Sequence, residues 1–189
     1  IIMANEKQQF VDQLKELLQK NVAEVKKQVE VVKTQFYRQY HQELEAQKKA
    51  ALEAAAAAGE VLENWLPSMD ELEQEFRELL NQYKQRRAEL QKQIEDEQSQ
   101  NLLRKENILA QMKEMADAET ADVMDNLKKM RELQAEWKTI GPVPAPKTQE
   151  IWKNYQQYQE RFYDLVKINI ELRDLDFKKN LEMKNLLCE

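Results

Sequence analysis

Val22, Val25, Val29, Val32 and Phe36 recur at alternating spacings of three and four, the period of a helix face packed against another helix. These five residues are the candidate packing seam. Asn21 and Glu24 form an N-x-x-E start signal at its head, which predicts a short first helix over about 7–20 and a second beginning at Asn21. The second helix continues through QKKAALEAAAAAG, where alanine favours helix without a partner, to a left-handed stop at Gly59. Val61, Leu62, Trp65 and Leu66 in the following GEVLENWLP are expected to fold onto a helix end, and Ser68 with Glu71 to restart a helix.

From that restart to Ala116 there is neither Gly nor Pro, so a third helix of about 48 residues would be about 70 Å long. Leu72, Phe76, Leu79, Tyr83, Leu90 and Ile94 stripe its first half, and Leu102, Ile108, Leu109, Met112 and Met115 its second. EDEQSQN, residues 95–101, separates them without one apolar side chain. It is expected to mark the place where the helix changes packing partners; the alternative is a solvated, bent stretch.

A break near DAETAD precedes a fourth helix with Val123, Leu127, Met130, Leu133 or Gln134, and Trp137 on one face, ending at Gly141. Pro142, Pro144 and Pro146 lack amide donors and push each preceding residue away from helical backbone, so GPVPAP is predicted to be a stiff extended link. Pro146 suits the first turn of a fifth helix, with Thr148 an alternative cap. Ile151, Trp152, Tyr155, Tyr158, Phe162, Leu165 and Val166 crowd the start of that helix. Trp137, Ile140, Gly141, Pro142, Pro144, Pro146 and Trp152 thus make a structural corner between antiparallel helices, the two tryptophans expected as its anchors.

Composition agrees with this reading. Two Gly and four Pro in 189 residues leave little material for turns, and a 42% hydrophobic share rich in alanine implies narrow seams and an elongated shape. The fold class is therefore all-α, with long antiparallel helices packed in a coiled-coil-like way. No apolar run is long enough for a membrane span, and the opening IIMANEKQQF lacks the form of a signal peptide. One cysteine, Cys188, excludes an internal disulfide and suits a reducing, cytoplasmic setting. The opening IIM and the closing KNLLCE, without a helix stop, are expected of a piece of a longer chain.

LQAEWKTIGPVP, continuing through IWKNYQQYQERFYDLVKINIELRDLDFKKNLEMKNLLCE, resembles the bacterial repeat family called domain of unknown function 349. The resemblance covers residues 120–189, and the whole chain looks like the amino-terminal part of the version found in Bacteroidetes. It implies tandem helical repeats of about 75 to 80 residues and brings no assigned activity. A weak internal echo aligns NLLRKENILAQ, residues 101–111, with KNLEMKNLLCE, residues 179–189, matching Leu103 to Leu181, Asn107 to Asn185 and Leu109 to Leu187. The expected organisation is a helical hairpin over 1–66, a long connecting helix and degenerate leading repeat over 67–121, and a repeat unit with the IGPVP corner over 122–189.

Candidate chemistry is sparse. His41 is the only histidine, without a second His or Cys beside it to suggest a metal or nucleophile site. Two isolated glycines cannot form a phosphate-binding loop. The expectation is accordingly no enzyme, no cofactor and no metal. Arg86 with Arg87, Lys128 with Lys129 and Arg131, and Lys178 with Lys179 are basic clusters, but residues 67–121 carry 8 basic against 13 acidic side chains and 122–189 carry 12 of each. A phosphate-binding surface needs a basic excess, so these read as solvated faces. The chain is expected to be a helical-repeat scaffold or protein-interaction module, with self-association among its modes. The alternative is a ribosome- or RNA-associated factor.

Overall fold

A computed structural model describes residues 2–118 and 122–188, with side chains from Glu6 onward. Five α-helices, and no strand among the described residues, make the protein all-α: α1 (Ile2–Leu18), α2 (Lys26–Ala57), α3 (Glu71–Asp117), α4 (Val123–Thr139) and α5 (Ala145–Cys188). The chain divides into two compact units, residues 1–92 and 93–189, and the division falls inside α3. No described helix is long and apolar enough to cross a membrane.

The core of the first unit gathers Val11, Leu14, Val29, Phe36, Phe76 and Tyr83 with their neighbours. Val25, Val29, Val32 and Phe36 of the expected seam are buried there, and Val22 is half-buried. Phe36 stacks on Phe76 with ring centroids 3.9 Å apart and planes 5° from parallel. Glu73 accepts from the Tyr37 hydroxyl and Lys15 pairs with Glu75, while Arg86 Nη1 donates to the Leu18 carbonyl. These pairs set α1 parallel to α3 and α2 antiparallel to both.

Within the first unit the structure departs from the sequence reading around the starts of α2 and α3 and in the connector between them. Asn21 and Glu24 do bond, at 3.4 Å, and Asn21 Oδ1 accepts from the Ala23 amide, but they close an isolated turn. α2 starts at Lys26, with Val25 at its cap position. α3 is capped by Asp70 instead of Ser68: its Oδ1 accepts from the Leu72 and Glu73 amides at 3.0 and 3.2 Å. Val61 and Leu66 of the connector are more than four-fifths exposed and Leu62 is exposed, so of the four apolar residues of GEVLENWLP only Trp65 is half-buried. Gly59 is the left-handed stop that was expected, at φ 73°, and the Glu60 amide reaches back to the Ala55 carbonyl at 2.9 Å.

Lys7 is buried and bonds both Glu43 and Asp70, tying α1 and α2 to the head of α3. Burial works against its charge, but the two carboxylates outweigh it and raise the ammonium above its ordinary range. Burial alone would raise the Asp70 carboxyl. The Lys7 ammonium and the backbone amides of Glu73 and Leu72 overcome that and hold it below the ordinary range.

The core of the second unit gathers Ile108, Met112, Met130, Trp137, Tyr155 and Phe162 with their neighbours. No residue from 84 to 100 belongs to either core, so the apolar stripes on the two halves of α3 serve different packing partners, as the polar EDEQSQN segment predicted. α4 is capped by Asp122, which accepts from the Met124 amide. Part of the expected DAETAD break, residues 119–121, lies outside the described residues.

Phe36→Ala removes a fully buried ring and its stacking partner's contact, and should cost about 3–5 kcal/mol in urea unfolding followed by helical circular dichroism. Asp70→Asn keeps a capping side chain but loses the charge, and should cost about 1–3 kcal/mol at pH 7. Because the folded Asp70 pKa lies below the unfolded one, its contribution is present above about pH 4 and fades as pH falls through the folded value. The gap between wild type and Asp70→Asn should therefore narrow at pH 3, read from urea midpoints at the two pH values.

Candidate functional site

The corner is built from backbone that cannot remain helical. α4 stops at Thr139, two residues before the expected Gly141, because Ile140 is already extended at φ −81°, ψ 130°. α5 starts at Ala145, which places Pro146 in its first turn as expected and leaves the alternative cap, Thr148, inside the helix. The Pro144 carbonyl accepts the Lys147 amide at 2.9 Å and the Thr148 hydroxyl at 3.5 Å, so Pro144 occupies the cap position and Pro146 the first turn. Amides at those positions have no helical acceptor in any case, so proline costs nothing there. Between the helices Val143 turns inward and is buried, while Pro142 is exposed.

Asn101, the last residue of the polar segment, holds this link in place. It is 7% exposed on α3, and its Nδ2 donates to the Pro142 carbonyl at 2.9 Å. Gly141 eases that approach, since a Cβ built there would stand 3.1 Å from Asn101 Nδ2 and push the amide aside by a few tenths of an ångström. Its backbone is not left-handed, so the reason for glycine is room for the amide and not conformation.

One turn further along α3, Lys105 Nζ lies 4.8 Å from the centroid of the Trp137 ring. Burial alone lowers its pKa. Arg104 pairs with Glu136 at 3.7 Å on the exposed edge. In the first unit Lys7 also lies over an aromatic ring, 5.9 Å from the Tyr40 centroid.

Trp137 is the buried anchor, and its ring centroid lies 4.5 Å from that of Tyr155. Trp152, expected as the second anchor, is 51% exposed and stacks on the outer side of Tyr155 at 5.4 Å. Tyr155 takes the inward place because it falls four residues after Ile151 on the buried stripe of α5, whereas Trp152 is turned about 100° away. Burial, and secondarily the nearby Tyr163, raise the Tyr155 phenol above its ordinary range. Tyr163 in turn donates to Gln134 at 3.3 Å, and Arg161 pairs with Asp117, so α4 runs antiparallel to both α3 and α5.

Sequence reasoning missed Asn101, Lys105, Val143 and Tyr155 as parts of one arrangement. The signal for Asn101 was present: it lies seven residues before Ile108 and fourteen before Met115, a polar residue in register with a buried stripe. What the arrangement does is hold one helix and one extended link against another helix, and its polar groups are taken up in doing so. Elsewhere, a depression of 510 Å³ is lined by Lys7, Glu43 and Asp70, whose charges already satisfy one another. Among the described residues no group of three or more His, Cys, Asp and Glu could hold a metal ion. His41 is exposed beside Tyr37 and Tyr40. Of the basic clusters, Arg86 is engaged by the Leu18 carbonyl and Arg87 lies over Tyr83, while Lys128, Lys129, Arg131, Lys178 and Lys179 are exposed.

Residues 71–146 match the family described as Domain of Unknown Function (DUF349). The matched segment begins with the first residue of α3, takes in α4 and the corner, and ends in the first turn of α5. It overlaps the unit expected over 122–189 only as far as Pro146. No curated protein and no solved structure matches the chain.

Asn101→Ala leaves the Pro142 carbonyl without its donor and should cost about 1–2 kcal/mol. Gly141→Ala should cost about 1–3 kcal/mol in the wild-type background, through overpacking, and under half as much when Asn101 is already alanine. A double-mutant cycle read by urea unfolding measures the difference.

Proposed function

We propose that this chain is a non-catalytic helical-repeat module of the cytoplasm whose work is to bind another protein along the second half of α5. One observation carries the reading. No residue from Lys167 to Cys188 is buried, yet Ile168, Leu172, Leu175, Phe177, Leu181 and Leu187 are each at least half exposed along this stretch. Apolar area of that kind on a helix is stabilised by a partner surface. Self-association is one form such a partnership takes.

The non-catalytic part of the reading is supported by the corner, where Asn101, Lys105 and Pro142 are occupied in holding backbone and ring. The exposed lone cysteine suits a reducing compartment.

The test is capture from lysate, in nuclease-treated and untreated halves, on the immobilised full chain, beside a Leu172→Glu/Leu175→Glu variant. Both positions are more than half exposed, so the variant should keep its helical circular dichroism. Proteins retained by the wild type and lost with the variant are the expected outcome. Equal retention by the two overturns the reading. Proteins that leave on nuclease treatment alone point instead to an RNA- or ribosome-associated factor.

A further inference from the structure

The exposed half of α5 repeats a face whose cover is visible elsewhere in the molecule. Along the first halves of the two long helices, Leu72, Phe76, Leu79 and Tyr83 of α3 face one core, and Ile151, Tyr155, Tyr158 and Phe162 of α5 face the other. Each of the four α5 positions lies 79 residues after its α3 counterpart. The same displacement carries Asn101-Leu102-x-x-Lys105 onto Asn180-Leu181-x-x-Lys184, and Ile108 onto Leu187.

The internal echo is therefore one residue out of step with the alignment that pairs Leu103 with Leu181. Burial gives the reason: Leu103 is 66% exposed, while Asn101 and Ile108 face the core. In α3 this motif performs two contacts, the Asn101 bond to the Pro142 carbonyl and the Lys105 ammonium over Trp137. In α5 the same residue types in the same register, Asn180, Leu181, Lys184 and Leu187, are all exposed.

We propose that Asn180 and Lys184 form a second corner-binding site on α5. Its occupant is a helix–corner segment of another repeat unit: an amphipathic helix with a Trp in its last turn, followed after two residues by Ile-Gly-Pro in extended form. Asn180 donates to the carbonyl after the glycine, Lys184 covers the indole, and Leu181 and Leu187 receive the apolar stripe. The proposal rests on reading the second half of α5 as a protein-binding surface, and names the chemistry of what binds there.

The probe is a fluorescein-labelled peptide of residues 122–146 of this chain, titrated against the full chain and followed by anisotropy. The expected result is saturable binding, weakened about five- to tenfold by Asn180→Ala or Lys184→Ala, and by Trp137→Ala in the peptide. Asn101→Ala in the full chain should leave it unchanged. If binding follows Asn101 and ignores Asn180, the peptide is exchanging with α4 on α3 and the proposal is wrong. A concentration-dependent dimer of the chain alone that Asn180→Ala abolishes overturns the choice of occupant in favour of a second copy. Absence of binding while the capture experiment still depends on Leu172 and Leu175 overturns this proposal and leaves the broader reading of α5 standing.

Discussion

A single amide, Asn101 Nδ2, organises the second core by capturing the Pro142 carbonyl. The prolines leave the link short of donors, and an extended segment against a helix exposes carbonyls that the helix backbone cannot satisfy. Asn101 supplies the missing donor from the side, and Gly141 leaves it the space. With the link fixed, Trp137 is delivered to Lys105 on one side and Tyr155 on the other, and α5 leaves the corner with Ile151 and Tyr155 turned inward.

The first core reaches a similar three-helix arrangement by other means. Its second connector is long and mostly exposed, and position is set at the head of α3 by Lys7 between Glu43 and Asp70, with Asp70 also capping the helix. One unit is pinned by a neutral hydrogen bond to backbone and the other by a charged triad. The triad's strength follows pH and the amide's does not.

Much of this architecture was legible in the sequence because it rests on period and on helix breakers. The seam from Val25 to Phe36, the stop at Gly59, the unbroken run of α3 and the extended link all follow from residue type and spacing. The divergences arose where two signals of similar strength competed. Ser68 and Asp70 are both good caps, and geometry gave the place to Asp70. Trp152 looked like an anchor because tryptophan usually is, yet Ile151 and Tyr155 hold the inward register. Four apolar residues of the connector were expected to be covered and only Trp65 is half-buried, because nothing in the sequence around Val61 and Leu66 fixes a surface to cover them. Asn101 was hidden by its neighbours: in a run read as uniformly polar, one member had the opposite environment, and only the heptad relation to Ile108 marks it.

The division of α3 between the two cores also has a consequence for how the chain folds as it is made. The first core draws on nothing beyond Tyr83, and the second takes its first apolar contribution from Leu102. During synthesis the residues of the earlier core all emerge from the ribosome before any apolar residue of the later one does. Each core also joins helices that are not sequence neighbours, α1 with α3 in the first and α3 with α5 in the second, so each closes only once its third helix is in place. The polar turns of α3 between them act as a temporal spacer, separating two collapses that would otherwise compete for the same apolar side chains.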